Sequence, residues 1–170
     1  MHQWIVSAAI GVAILSSGPA AASPVPGVAS GIYEGDGPSD HAFEAIDSAT
    51  ASLPDSMRPL ARMRLRKSVA VSRIRISTAG NRIGIAYDAK APITLWIGEE
   101  PVKWKLTDVL VFDVSAQRDG EALSIRFRGD DSDRTIIYRT VGRDLEEATT
   151  MIVPQISRPV VFKRVFHQAN

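Results

Sequence analysis

The sequence predicts a mainly β protein: an antiparallel meander of about eight or nine strands, closed as a barrel or half-open, with a helical hairpin after the first strand. Beyond Ser68, apolar and polar residues alternate with the period of two that is typical of strands with one buried face. Segments rich in glycine, proline and aspartate interrupt this pattern about every 8 to 12 residues, as turns between neighbouring strands do. No helical segment of about a dozen residues separates the runs, which argues against the crossovers that parallel strands need.

The first 22 residues predict a secretory signal peptide. An apolar run at 5–15 is followed by small residues and by an A-x-A pattern at 20–22, the usual form of a cleavage site. The run is shorter than the ~20 residues that a membrane-spanning helix needs, and Gly18 and Pro19 follow it closely. Because no lysine or arginine precedes the run, an N-terminal anchor or a misassigned start stays open as an alternative.

The remaining chain predicts one exported domain. Residues 23–31 have the proline and glycine content of a flexible leader, and residues 32–170 are expected to form a single β-rich domain. The sequence contains no cysteine, which excludes disulfide bonds and lipid attachment at a cysteine. An excess of arginine over lysine and frequent alanine favour a bacterial source, so we expect a periplasmic or secreted protein.

Two short helices are predicted after the first strand. Tyr33 lies in a brief apolar segment, and Ser39 then has the hydroxyl of a helix N-cap. Apolar residues at helical spacing predict a helix over about residues 40–53, which Pro54 ends. A second helix is predicted over about residues 56–67, since a proline in its first turn is tolerated. Together these helices make the predicted hairpin.

The alternation predicts which side chains fill the barrel. For residues 145–150 (LEEATT), a short helix competes with a strand. Trp96 falls on the opposite face of its strand from Leu95 and Ile97, so we expect it to point outward or into a covering helix, and we favour a place beneath the helical hairpin. The predicted inward-facing residues are Ile83, Ile85, Tyr87, Ile93, Leu95, Ile97, Val102, Trp104, Leu106, Leu123, Ile125 and Phe127, and the predicted outward-facing ones are Lys103, Lys105, Ser124, Arg126 and Arg128.

Residues 55–77 (DSMRPLARMRLRKSVAVSRIRIS) contain seven basic residues and one acidic residue, the opening aspartate. On the second helix, Arg58, Arg62 and Arg66 form a stripe on the polar face, here called the arginine stripe, whereas Arg64 falls within the apolar face. The stripe has two interpretations: a solvated face paired with acidic residues of the barrel, or a docking surface for an anionic membrane or an acidic protein. We expect no nucleic-acid partner, since the run lacks aromatic residues for base stacking.

The order of elements resembles the calycin barrels, which include the lipocalins and the fatty-acid-binding proteins. GIY at 31–33 is similar to the lipocalin G-x-W motif, with Tyr33 in place of tryptophan, and FKRVF at 162–166 places Arg164 in the last strand. The helical hairpin is similar to the lid of the fatty-acid-binding proteins. In that family a last-strand arginine and a tyrosine two residues later bind the ligand carboxylate. Here the matching residues are Arg164 and Phe166, which lacks the hydroxyl.

The resemblance implies that a small amphiphilic molecule, such as a fatty acid or another lipid, binds inside the barrel. Aromatic residues on adjacent strands are typical of apolar ligand pockets, although an ordinary filled core needs the same residues. Arg64 is expected to meet a ligand's acidic headgroup at the barrel mouth, or else to extend past the apolar face into solvent. The candidate ligand-binding residues are Tyr33, Arg64, Trp104, Phe127, Arg164 and Phe166.

The sequence contains no recognisable catalytic constellation, since G-x-S-x-G and glycine-rich phosphate loops are absent from it. His41 and Glu44 are interpreted as a solvated helix end rather than a metal site, and residues 129–134 (GDDSDR) as an acidic hairpin turn that lacks the EF-hand pattern. We therefore expect a non-enzymatic protein without metal or cofactor, which binds an amphiphilic ligand in its barrel. The alternative is a cell-envelope interaction protein that docks through its basic helix on an acidic protein or a membrane surface.

Overall fold

The computed structural model describes residues 28–37, 39–107 and 110–170, so the predicted signal peptide lies outside the described residues. Ten antiparallel strands form one sheet that curls into a nearly closed barrel, and two helices follow the first strand. The predicted fold class is confirmed, with ten strands in place of eight or nine. The strands are β1 (Gly31–Glu34), β2 (Arg73–Ala79), β3 (Arg82–Tyr87), β4 (Ile93–Trp96), β5 (Val102–Lys105), β6 (Val111–Asp119), β7 (Ala122–Arg128), β8 (Asp133–Val141), β9 (Asp144–Ile152) and β10 (Val160–Gln168), and the helices are α1 (Asp40–Thr50) and α2 (Arg58–Val69).

The strands form a meander whose two halves are joined across β1. The order in the sheet is β4-β3-β2-β1-β10-β9-β8-β7-β6-β5, so the first strand pairs with both the second and the last. The ends of this order approach each other where Ile97 bridges to Ala116 and the Gly98 amide donates to the Ala116 carbonyl at 2.9 Å. This narrow contact between β4 and β6 leaves the barrel nearly, but not fully, closed by backbone pairing.

The inward and outward faces of the strands follow the predicted alternation. On β3 and β7 the side chains of Ile83 and Ile125 are fully buried, whereas Arg126 and Arg128 are exposed. Residues 145–150 belong to β9, so a strand and not a helix forms there. Ladders with β8 on one side and β10 on the other provide hydrogen-bond partners for the backbone of β9. This explains why the segment is a strand and not a helix.

Buried apolar side chains form two cores. The barrel core contains buried residues from every strand except β5, whose Val102 and Trp104 pack against it half-buried. Val28, in the segment expected to be a flexible leader, is also buried in this core. The hairpin core joins the two helices to β9 and β10 through Ala42, Ile46, Ala49, Val69, Met151, Val160 and Phe162.

The helical hairpin lies against β10. Ser39 caps α1, since its Oγ accepts a hydrogen bond from the Ala42 amide at 3.2 Å. The hairpin was expected to cover Trp96, but α1 packs on β10 and the Trp96 residue is 44% exposed, so that prediction is wrong. The reason is that the helices bury their apolar face on the last strands, far from β4 in the order of the sheet. Within the described ranges, no helix is long and apolar enough to cross a membrane.

Candidate functional site

A buried ion pair lies between the two cores. Arg164 on β10 and Glu147 on β9 are directly opposite each other in the ladder, and their side chains are 4% and 0% exposed. The Arg164 Nε donates to Glu147 Oε1 at 2.9 Å, and Arg164 Nη2 donates to Oε2 at 3.2 Å. Two parallel hydrogen bonds of this kind are the strongest form of an arginine–carboxylate contact. Removing two charges from water is costly unless further hydrogen bonds satisfy them, so the surrounding contacts decide the role of the pair.

The remaining donors of Arg164 bind the end of α2. Its Nη1 donates to the carbonyl of Val69 at 2.8 Å and lies within 3.5 Å of the Val71 carbonyl. An arginine side chain has five N–H donors on three nitrogens. All three nitrogens of Arg164 therefore have partners, in the carboxylate of Glu147 and in the backbone that leaves α2.

Glu147 accepts hydrogen bonds from two neutral side chains besides Arg164. The Thr149 hydroxyl donates to Oε1 at 2.8 Å, and the Tyr138 hydroxyl donates to Oε2 at 3.2 Å. The Tyr138 hydroxyl also lies 3.2 Å from that of Tyr87. Burial raises the pKa of both tyrosines, so they act as neutral hydrogen-bonding groups. The junction cluster, as we name this group, consists of Tyr87, Arg134, Tyr138, Glu147, Thr149 and Arg164.

Arg134 on β8 is the second arginine of the junction cluster. Its Nη1 donates to the Ser68 carbonyl at 3.1 Å, and its Nη2 lies 3.9 Å from Glu147 Oε1. Among the described residues, Arg134 Nε is a buried donor that has no hydrogen-bond partner. The carbonyls at the C-terminus of a helix carry partial negative charge, which favours a nearby cation. Arg134 and Arg164 therefore fasten the last turn of α2 to the barrel.

The structure places five of the predicted ligand-binding residues in or beside the barrel core. The Arg164 guanidinium lies 4.9 Å from the centre of the Phe166 ring, as expected for neighbours on one face of β10. Trp104 and Phe127 pack edge to face with their ring centres 5.8 Å apart. Tyr33 is fully buried in the same core. Arg164 thus stands at the boundary of an apolar interior that the other four residues help to form.

Side chains fill the interior of the barrel. Leu95, Ile125 and Ile136 are each at most 1% exposed, which means that no water-sized space borders them. Phe112 also contacts the rings of Trp104 and Phe127. A molecule that binds within the barrel must therefore displace side chains. The enclosure is weakest at the narrow contact between β4 and β6 and at the hairpin.

Two arginines of the stripe, Arg62 and Arg66, pair with α1, and all three side chains of the stripe remain partly exposed. Arg66 Nη2 donates to Asp47 Oδ2 at 2.7 Å, and Arg62 Nε lies 3.4 Å from Asp47 Oδ1. Arg58 pairs with Asp55 at 2.9 Å. Pairing with acidic residues of the barrel was expected, but the partners lie within the hairpin because α2 packs with its stripe toward α1. An open groove of about 780 Å³ runs along the stripe and is lined by Asp55, Arg58, Pro59, Arg62, Met63 and Arg66.

Beyond the stripe, α2 carries large apolar side chains into solvent, and one of them, Met63, also lines the groove. Met57, Leu60 and Met63 are 49%, 47% and 60% exposed. Arg64 and Lys67 are exposed beside them. These five residues are named the outward face of α2. Arg64 therefore lies among exposed apolar residues, away from the junction cluster, and the structure does not bring it to the other predicted ligand-binding residues.

The remaining polar motifs have ordinary local partners. His41 Nδ1 lies 3.5 Å from Glu44, and both side chains are exposed. In the described part of the chain, no three potential metal-ligating side chains cluster together. In the acidic turn, Asp133 forms an ion pair with Arg126, whose hydrogen bond holds the pKa of the carboxyl below its ordinary value. The predicted neutralisation of this turn by flanking arginines is therefore present.

Neither Arg134 nor Glu147 was predicted from the sequence as a site residue. A signal for Glu147 exists, because a period of two through β9 places Leu145, Glu147 and Met151 on one face. A carboxylate on an inward face that also carries Leu145 and Met151 needs a cation. Because residues 145–150 were also compatible with a short helix, this period of two did not lead to a prediction for Glu147.

A nearly closed barrel of ten antiparallel strands with two helices after the first strand is a calycin-type fold, so the predicted resemblance is confirmed. Solved structures of this type cover most of the chain. A secretory abundant heat soluble protein from Ramazzottius varieornatus is 15% identical with a TM-score of 0.57, and it covers 85% of this chain and 99% of its own. Human cRBP IV is 18% identical with a TM-score of 0.53, covering 85% of this chain and 100% of its own.

A fatty-acid-binding protein from Schistosoma mansoni, solved in complex with arachidonic acid, is 15% identical with a TM-score of 0.52, and it covers 88% of this chain and 99% of its own. At these identities the similarity concerns the fold alone. No protein-family description matches the sequence. No curated protein has significant sequence similarity to it.

Proposed function

We propose that this protein is a non-enzymatic carrier that binds a small amphiphilic or lipid-like molecule, with the polar end of the ligand at the junction cluster. The observation that carries the proposal is a hydrogen-bonded polar group, centred on Arg164 and Glu147, at the inner boundary of an apolar barrel core. An apolar enclosure with a few convergent polar groups is the usual form of a site for an amphiphile. The structural neighbours, among them proteins named for fatty acids and bile acids, support this class of ligand.

The junction cluster suggests how the ligand enters. The hairpin is held to the barrel by hydrogen bonds from Arg134 and Arg164 to carbonyls at the end of α2, beside the small hairpin core. Breaking these few contacts separates α2 from the strands without disrupting any ladder of the sheet. Because the interior is filled, the ligand tail takes the place of side chains that move as the hairpin opens. The arrangement described here is therefore proposed to be the one in which the hairpin is closed.

Export is part of the proposal. The predicted signal peptide supports a site of action in the periplasm or outside the cell. Cell fractionation and N-terminal sequencing of the mature protein test it. A mature chain that begins near residue 23 in a secreted fraction is expected, and a cytoplasmic protein that retains its first residues contradicts export.

The ligand proposal is tested by native mass spectrometry and lipid extraction of the protein from the cells that produce it. We expect an added mass that organic extraction removes, and a rise in melting temperature when the extracted lipid is returned. Arg134→Met removes a donor of the junction cluster and should reduce this rise, whereas Arg139→Met, an exposed arginine on the same strand, should not. If nothing co-purifies and neither lipids nor retinoids raise the melting temperature, the proposal is wrong.

A second candidate function is docking on an anionic membrane, and the outward face of α2 favours it. Three exposed apolar side chains beside Arg64 and Lys67 have the composition of a helix that lies at a membrane surface. Each basic residue near such a surface contributes about 1 kcal/mol. An acidic protein partner fits less well, since it gives no reason for exposed methionine and leucine.

Sedimentation with lipid vesicles tests this candidate. We expect binding to vesicles that contain phosphatidylglycerol and little binding to pure phosphatidylcholine. Replacing Leu60, Met63 and Arg64 together by serine should weaken binding about tenfold, and Arg139→Ser should leave it unchanged. No binding to anionic vesicles, or equal binding by the triple variant, would remove the membrane as a partner.

A further inference from the structure

We infer that the polar end of the ligand is uncharged, as in an alcohol, an ester or an amide, and is not a carboxylate. This inference rests on the proposed ligand-binding function and specifies its ligand class. It is carried by Glu147, which already gives Arg164 the negative charge that a ligand carboxylate would otherwise supply.

The contacts of Arg164 leave no place for a second carboxylate. Its Nε and Nη2 donate to Glu147, and its Nη1 donates to the Val69 carbonyl. A ligand carboxylate that bound Arg164 would have to displace one of these partners. Displaced Glu147 would remain buried as an unpaired charge, which is among the costliest changes that a protein interior can undergo.

Glu147 itself is fixed in place and repels an anion. Thr149 and Tyr138 each donate to one of its oxygens, so its carboxylate does not rotate away to make room. A second carboxylate within a few ångströms would be a like charge in a site with little water. The second cation is Arg134. It donates a hydrogen bond to the Ser68 carbonyl, and its Nη2 lies 3.9 Å from Glu147 Oε1, so its charge is partly balanced.

The junction cluster does offer one hydrogen bond to a neutral ligand. Within the described residues, Arg134 Nε is buried and has no acceptor. A hydroxyl or carbonyl oxygen would satisfy it without adding charge. The cluster therefore has a donor for an alcohol or ester, whereas Arg164 already has in Glu147 the counter-ion that an acid would otherwise supply.

Calorimetric titration of the full-length mature protein near pH 7 with dodecanol, methyl dodecanoate and dodecanoic acid tests the inference. The three molecules share an alkyl chain, and only the acid is charged. We expect the alcohol and the ester to bind at least about tenfold more tightly than the acid. Glu147→Gln keeps the shape of the side chain but removes its charge and replaces one acceptor oxygen by an NH2 donor, so it should raise the affinity for the acid about tenfold and change that for the alcohol little.

The outcomes distinguish the inference of an uncharged ligand from the proposed carrier function. Acid that binds wild-type protein as tightly as the alcohol overturns the inference and leaves the proposed function standing. A folded Glu147→Gln variant with no gain for the acid also overturns it. If none of the three molecules binds either protein, both the inference and the carrier function are wrong. If the variant does not fold, the affinities of wild-type protein for the three ligands still test whether the polar end of the ligand is uncharged.

Discussion

Arg164 and Glu147 face each other on adjacent strands, and through Arg164 the same ion pair reaches the Val69 carbonyl at the end of α2. One buried guanidinium thus joins β9, β10 and the helical hairpin. Because its partners include both a carboxylate and helix carbonyls, the closure of the hairpin depends on directional polar contacts as well as on the apolar hairpin core. The stability of the fold and the access of a ligand are therefore expected to change together when this pair is altered.

Removing only one partner of the ion pair should be more harmful than removing both charges. Arg164→Met leaves Glu147 buried without its cation and is expected to lower the free energy of unfolding by about 3–5 kcal/mol. The double variant Arg164→Met with Glu147→Gln removes both charges, and the amide oxygen can still accept from one of the two hydroxyls of Tyr138 and Thr149 while its NH2 donates to the other. It should recover at least about half of the loss. Urea unfolding followed by tryptophan fluorescence measures both values, and equal losses in the two variants would contradict the role of the pair.

Arg134 is expected to control local opening of the hairpin. Arg134→Met removes the hydrogen bond to the Ser68 carbonyl and the cation beside the negative end of α2. Hydrogen exchange of peptides from α2 should accelerate about tenfold, corresponding to a loss near 1.4 kcal/mol, while exchange in β7 stays unchanged. Arg139→Met on the same strand is the control. Unchanged exchange in α2 of Arg134→Met would show that the apolar contacts alone hold the helix.

Asp47 should organise the arginine stripe. Asp47→Ala removes the partner of Arg62 and Arg66 and leaves two cations close together at the interface of the helices. Since these side chains are more than a third exposed, solvent weakens the pairs, and the expected loss is about 1 kcal/mol or less. Glu44→Ala on the same helix, where Glu44 is exposed, should cost less. The two variants are compared by urea unfolding at low and high salt, and a loss for Asp47→Ala that does not shrink in high salt would argue against an electrostatic origin.

The acidic turn should contribute to acid sensitivity. The hydrogen bond from Arg126 holds the pKa of Asp133 below its ordinary value. A carboxyl whose pKa is lower in the folded state stabilises the fold above its unfolded pKa, and this contribution disappears as the pH falls through the folded pKa. Wild-type protein should therefore lose more stability than Asp133→Asn as the pH falls below about 4. Urea midpoints measured across this range check the prediction, which parallel curves for the two proteins would refute.

The barrel was predictable from sequence because each strand and turn is indicated by residues close together in the chain. The alternation that places Ile83 and Ile85 on one face and Arg126 on the other needs only the period of two and turn residues between runs. The helices were predictable for the same reason, as with the cap at Ser39, although α1 ends at Thr50, before the predicted stop at Pro54.

The orientation of α2 was not predictable, because it depends on a residue of the other helix. Helical spacing separates the arginine stripe from Met57 and Leu60, but it does not say which side packs. Asp47 pairs with Arg62 and Arg66, so the stripe lies beside α1. Leu65 and Val69 pack in the hairpin core, whereas Met57, Leu60 and Met63 are left exposed. The ion pair of Glu147 was missed in the same way, since it depends on the register between β9 and β10.

Nuclear magnetic resonance of labelled protein titrated with dodecanol tests most directly whether this barrel binds a ligand. If the ligand enters beneath the hairpin with its polar end at the junction cluster, the largest amide shift changes will occur at Val69, Val71, Tyr138 and Glu147, with smaller changes along the strands of the barrel core. No saturable changes, or changes confined to the outward face of α2, would contradict the central claim that this barrel is a ligand carrier.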